Sequence, residues 1–179
     1  FDPLDQPSPL AACRAPFAPD VARATALTVT GALAGSRIRL AVLDSYDGAV
    51  FAVGSDRVDS ASGRFVRIPT ERDLATVEGD PVSVMIAVRR PTGVWLPTIG
   101  EFGRIAIAGE DAADLRDRFV YNAVTGSAAF VGGVPVGLEY TLDAVVPPRA
   151  TASLATAVPG TAAVPGITDV PVARGADRP

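Results

Sequence analysis

Apolar and polar residues alternate with a period of two from Thr25 to Ala144, the repeat of a half-buried β-strand. Leu27 and Val29 alternate with Thr28 and Thr30. The stretch Arg37-Ile-Arg-Leu-Ala-Val-Leu-Asp-Ser-Tyr-Asp-Gly-Ala-Val-Phe-Ala-Val-Gly54 predicts a β-hairpin centred on Asp47-Gly48, because Asp and Gly suit the positive-φ positions of a two-residue primed turn. In that register Tyr46 faces Ala49, Asp44 faces Phe51 and Val42 faces Val53, so Ile38, Leu40, Val42, Phe51 and Val53 share one face. A short strand is expected at Arg64–Ile68, stopped by Pro69, and the polar stretch Glu71 to Asp80 predicts a loop or one helical turn. Val82, Val84, Ile86 and Val88 form an inward stripe, and Pro91-Thr92-Gly93 predicts a turn back through Val94-Trp95-Leu96 as a second hairpin. Ile105 and Ile107 mark a strand after Gly103. Phe119 and Tyr121 lead through Asn122–Gly126 into Ser127–Val131 as a third hairpin, and Leu138, Tyr140, Leu142 and Ala144 line one face of the last strand. No stretch sustains a helical period.

About nine short strands at close spacing with Gly-rich turns predict an all-β fold, an antiparallel β-sandwich over residues 22–147. A chain of 179 residues suits one such domain. Irregular arms flank it. Residues 1–21 read as an extended Pro-rich lead-in with a helical turn near Leu10–Arg14. Residues 148–179 read as a linker or tail rich in Pro, Ala, Thr and Gly, with enough Val and Ile to dock as an edge strand.

Composition narrows the chemistry. A net charge of −4, a pI of 4.8 and no basic run longer than Arg89-Arg90 leave no footprint for a phosphate backbone, so no nucleic-acid partner is expected. His is absent, which removes the usual general base, the commonest metal ligand and the partner of a Ser or Cys nucleophile. Cys13 is the lone cysteine and cannot form an internal disulfide. Apolar runs such as Val84-Met-Ile-Ala-Val88 fall far short of the ~20 residues of a spanning helix, so no membrane contact by this segment itself is expected. Nothing in the opening residues resembles a signal peptide, and a chain that opens on Phe1 is expected to be an excised or mature fragment.

Candidate sites are few. Asp44, Asp47, Asp56 and Asp59 supply oxygen ligands of the kind Ca²⁺ uses, but the simpler reading makes Asp47 a turn former and the others solvated. Asp44 falls on the apolar face in the predicted register, where a carboxylate needs a partner, and is expected at the sheet rim. Asp111, Asp114 and Asp117 are spaced for one face of a helical turn without a Gly-centred Ca²⁺ loop. Neither metal nor cofactor is expected. Tyr46, Trp95, Phe102 and Tyr121 could form a sugar-stacking platform; the simpler reading places them in the core or at a domain interface, with Trp95 covering the mouth of the sandwich. Tyr46, Asp47, Trp95 and Phe102 are therefore the candidate interaction residues, and no catalytic set is assigned. An enzyme working through Asp, Glu, Ser and Tyr alone ranks behind a binding role.

The segments Leu27-Thr-Val-Thr-Gly31, Arg37-Ile-Arg-Leu-Ala-Val-Leu-Asp-Ser-Tyr-Asp-Gly48, Gly93-Val-Trp-Leu-Pro-Thr98, Arg118-Phe-Val-Tyr-Asn-Ala-Val-Thr-Gly126 and Tyr140-Thr-Leu-Asp-Ala-Val-Val-Pro147 span most of residues 25–147. In their order they resemble the extracytoplasmic β domain that precedes the catalytic core of actinobacterial membrane-bound transglutaminase-like proteins of the cysteine-protease type. The Asp-x-Tyr-Asp-Gly turn is the most specific of these motifs; three residues after its Gly the family carries an aromatic, often Trp, and Phe51 stands there. The resemblance implies a non-catalytic accessory domain, held outside the membrane by segments beyond this chain. Its partners would be its own downstream transglutaminase-like core, or an envelope protein or glycan. The family's Cys–His–Asp set belongs to that core, and no residue here matches it. A cell-wall glycan-binding module is the alternative function.

Overall fold

The computed structural model describes residues 1–10, 18–19, 21–46, 48–54, 61–68, 71–148 and 158. Their fold is all-β and antiparallel. Strand β1 (Leu27–Thr30) pairs with β4 (Asp80–Val88), β4 with β9 (Glu139–Val146), and β9 with β6 (Glu101–Ile107), making a four-stranded sheet in the order β1-β4-β9-β6. Strand β8 (Ser127–Phe130) lies between β5 (Trp95–Leu96) and β7 (Phe119–Asn122) in a three-stranded sheet. A third, two-stranded ribbon joins β2 (Ser45–Tyr46) to β3 (Phe51–Ala52). No helix among the described residues is long and apolar enough to cross a membrane.

The period-two stripes do the packing. Val82, Val84, Ile86 and Val88 of β4 and Tyr140, Leu142 and Ala144 of β9 enter the same core as Leu96, Phe119, Tyr121, Ala128 and Phe130 from the three-stranded sheet. Two sheets sharing one core is the arrangement a sandwich requires, and each fully buried large side chain contributes roughly 1.5–3 kcal/mol. The outer face of the four-stranded sheet carries polar pairs beside the exposed Met85: Ser83 donates to Asp143 at 2.6 Å and Arg89 pairs with Glu139 at 3.1 Å. By contrast, every residue of β7 and β8 is buried. The second face of that sheet carries Trp95, Val120 and Ala129, which pack against Val53 and Phe65 as a satellite core. A strand covered on both faces loses its alternation, as β8, Ser-Ala-Ala-Phe, does.

In β6, Phe102 and Ile105 both point into the core although their numbers differ in parity. A bulge between Phe102 and Arg104 absorbs the extra residue, Gly103, whose missing side chain leaves room for the Asp143 carbonyl at 2.9 Å from where a Cβ would stand.

Several sequence expectations need correction. The first hairpin pairs Tyr46 with Phe51 and Ser45 with Ala52, two residues out of the predicted register, and each strand is two residues long. A slip of two conserves every side chain's face, so apolar patterning alone could not detect it. Upstream, residues 38–43 leave the ribbon: Arg39 bridges Thr98, and the Val42 N–H donates to Ser127 Oγ at 3.1 Å. The predicted hairpin between Val82–Val88 and Val94–Leu96 does not form, because β4 is already flanked by β1 and β9 and the chain crosses to the other sheet. The strand expected at Arg64–Ile68 is reduced to one bridge, Val66 to Tyr121, behind a 3₁₀ turn at Ala61–Gly63. A seven-residue helix, α1 (Ala112–Arg118), stands where no helix was expected, burying Leu115 alone. Glu71–Asp80 is the loop that was one of its two expected states, with a turn closed by the Val77 N–H donating to the Leu74 carbonyl at 2.9 Å, and its start bridges Arg104 of β6. The third hairpin forms as predicted, with Phe119 opposite Phe130 and Asn122 opposite Ser127. Cys13, Asp47, Asp56, Asp59, most of the Leu10–Arg14 turn and nearly all of the tail after Pro148 lie outside the described residues.

Candidate functional site

Four side chains were candidates for interaction, and the fold separates them. Trp95 and Phe102 are each 3% exposed. Trp95 lies in the satellite core at 5.9 Å, centroid to centroid, from Phe65. Phe102 lies in the main core, 5.1 Å from Tyr121 and 5.7 Å from Phe119. With Phe1 packed against Trp95 neither ring is open to solvent, and Tyr121 is equally enclosed. Asp47 lies outside the described residues.

Tyr46 differs. It is 37% exposed and stacks on Phe51, itself 48% exposed, with ring centroids 4.6 Å apart and planes 28° apart. The observed register brings these two rings together as directly opposed cross-strand neighbours; the predicted one would have set Tyr46 against Ala49. Tyr46 also donates its hydroxyl to the Gly48 carbonyl at 2.8 Å, which orients the ring over the hairpin end, and Gly48 takes a φ of 98° that suits glycine. Asp44 supports the pair from below. Its carboxylate accepts the Gly54 N–H at 2.9 Å, the partner that its place on the apolar face demands. The result is a half-exposed aromatic pair at the end of a hairpin whose base is pinned to the body. Such a pair offers apolar area at little entropic cost, the property that favours aromatics at interfaces.

Sequence reasoning missed the residues that pin it. Arg39 donates from Nη1 to the carbonyls of Gly100 at 2.9 Å and Gly126 at 3.1 Å, joining the segment before the hairpin to the residues that lead into β6 and β8. Asn122 is 1% exposed; its Nδ2 donates to the carbonyls of Ala61, Ser62 and Arg64, and its Oδ1 accepts from the N–H groups of Val124 and Thr125. A polar residue inside Phe-Val-Tyr-Asn was the available signal.

Two hollows lined by described residues lie elsewhere. One, about 530 Å³, sits over the β6 bulge between Glu71, Arg72, Ser83, Arg104 and Asp143, charges that cancel in pairs. The other, about 700 Å³, is bordered by Glu110, Asp111, Asp114, Glu139 and Arg118 beside α1. Within it Asp114 is taken by Arg118 at 3.4 Å. Asp111, Asp114 and Asp117 do flank or lie in a helix, but among the described residues no three acidic, His or Cys side chains converge as a metal-holding group. Among the described residues the perturbed titratable groups are interior phenols. Burial raises the pKa of Tyr140, whose hydroxyl donates to the Pro97 carbonyl at 2.6 Å. Burial and then the Glu101 carboxylate raise that of Tyr121, against a weaker pull from the Phe102 backbone, Arg72 and Arg39.

No family model, curated protein or solved structure matches this chain.

Proposed function

We propose that this chain is a non-catalytic interaction domain whose contact surface is the end of the β2–β3 hairpin. The Tyr46–Phe51 pair carries the reading: it is the one candidate aromatic group that keeps about two-fifths of its surface in solvent while being stacked and anchored. It lies in and just after the Asp-x-Tyr-Asp-Gly segment on which the resemblance to transglutaminase-like membrane proteins rests most. On that resemblance the domain works outside the membrane, tethered by segments beyond this chain, and positions its own downstream core or contacts an envelope partner. The test has two parts. Sequencing the source gene past Pro179 should reveal a core with a Cys, a His and an Asp in that order. The 1–179 chain should then bind the separately produced core, with Tyr46→Ala/Phe51→Ala weakening the complex at least tenfold. A frame that ends near Pro179, or a double variant that binds as wild type does, would refute the assignment.

A second reading, glycan binding, draws on the same rings, since each has an outer face on which a sugar could stack. Calorimetric titration with cell-wall saccharides separates the two: saturable heat that vanishes in Tyr46→Ala supports the glycan, and flat titrations dismiss it. Trp95 fluorescence is unsuited to this purpose because the ring is buried.

A further inference from the structure

The outer face of the β5-β8-β7 sheet is closed by the chain's own first residues. Among residues 1–10 only Pro3 is buried. It opens a 3₁₀ turn at Pro3–Asp5 that is capped when Asp2 accepts the Leu4 N–H at 2.9 Å. The Pro3 ring rests against Gly54, which in turn lies so close to Gly63 that a Cβ on Gly54 would meet the Gly63 Cα at 2.6 Å and the Pro3 Cγ at 3.1 Å. The two glycines thus form a notch that accepts a proline. Beside it the Phe1 ring stands edge-on to Phe65 at 5.3 Å and to Trp95 at 6.3 Å, completing a three-ring cluster over the satellite core. Farther along, Ser8 donates its hydroxyl to the Phe51 carbonyl at 2.5 Å. Phe1, Asp2, Leu4, Asp5 and Pro7 are exposed and Gln6, Ser8 and Pro9 half-buried, so among the described residues the segment is held mainly by one buried ring, one half-covered ring and one side-chain hydrogen bond.

We propose that the notch of Gly54 and Gly63 with the Phe65–Trp95 rings is a binding site for an aromatic-x-Pro peptide segment, occupied here by the chain's own residues 1–8 as a displaceable strap. Attachment at so few points places the strap at the low end of local stability, able to lift while the sheets stay folded. The ligand chemistry follows from the resident: an aromatic ring that meets Trp95 and Phe65 edge-on, and two residues later a proline whose lack of an N–H costs nothing in a notch lined by backbone. Linkage to the same chain gives the resident a high effective concentration, so a competing peptide binds measurably only once the resident is weakened.

The sole tryptophan, Trp95, is the reporter. In the 1–179 chain carrying Phe1→Ala/Pro3→Ala, amide exchange in β4 and β9 should remain as slow as in the wild type while Trp95 emission shifts to the red and acrylamide quenching rises severalfold. Adding the synthetic peptide Phe-Asp-Pro-Leu-Asp-Gln-Pro-Ser should reverse both optical changes saturably, and the same peptide with Ala for Phe and for the first Pro should not. Unchanged Trp95 optics would mean that the strap does not close the site. An altered spectrum that the peptide fails to restore would mean that the strap is structural filling and not a ligand. Loss of protection in β4 and β9 would show that strap and sheets fold as one unit, which also overturns the proposal.

Discussion

The Tyr140 hydroxyl donates to the Pro97 carbonyl at 2.6 Å across the interior, tying β9 in the four-stranded sheet to the residue that follows β5 in the other. Both groups are buried, so each depends on the other for its hydrogen bond. Tyr140→Phe conserves the ring and orphans the carbonyl. Urea unfolding should show a loss of about 1–3 kcal/mol with little change in m-value.

Alkaline pH should act through the same residue. Burial raises the pKa of Tyr140 and Tyr121 in the folded state, so the folded chain keeps phenolic protons that the unfolded chain releases above its ordinary value of about 10. Stability from these groups is therefore level below pH ~10 and declines as pH rises beyond it. The chain has neither Lys nor His to blur that region. Denaturation midpoints measured from about pH 8 to about pH 12 should fall only in the upper half of that range. Tyr140→Phe should flatten the decline by up to about 1.4 kcal/mol per pH unit.

Asn122 holds the 3₁₀ turn at Ala61–Gly63 against the β7–β8 hairpin. Asn122→Asp replaces the donating NH₂ with an oxygen that faces three carbonyls, and should destabilise the fold by on the order of 3 kcal/mol or more. Thermal unfolding measures it. A change under 1 kcal/mol, about the median effect of any substitution, would contradict the network's importance.

Gly100 takes a φ of 56°, and a methyl there would run into the Val145 carbonyl. Gly100→Ala should cost roughly 2–4 kcal/mol, combining left-handed strain with overpacking. The loss should appear mainly as weakened amide protection where β6 meets β9.

Exposure makes the Tyr46–Phe51 stack worth little to the fold. Tyr46→Ala/Phe51→Ala should lower stability by about 0.5–1.5 kcal/mol while weakening capture of the proposed partner at least tenfold. A calorimetric melt run beside the binding assay distinguishes a contact surface from a folding element.

How much of this was legible beforehand follows from the range of each interaction. The stripes Val82–Val88 and Leu138–Ala144 were readable because burial on one face imposes a period of two that no other structure shares. The β7–β8 hairpin was readable because its loop is short and its faces match. Helix α1 was not, since seven residues with one buried leucine carry too little periodicity. The hairpin register escaped because a two-residue slip leaves the pattern intact, and that register is what creates the Tyr46–Phe51 pair. Asp44 was rightly marked as needing a partner, but Gly54 could be named only once the chain had turned.

The sequence by itself determined the class of the fold and the inward stripes of Val82–Val88 and Leu138–Ala144, because these depend on local geometry and on each side chain's preference for water or its absence. Tertiary structure decided which strands are neighbours, that β5 leaves β4 for β8, and that Trp95 lies under Phe1 and Phe65. Those choices compare alternative long-range pairings with the same local pattern, and only the complete packing of both faces of the β5-β8-β7 sheet ranks one above the others.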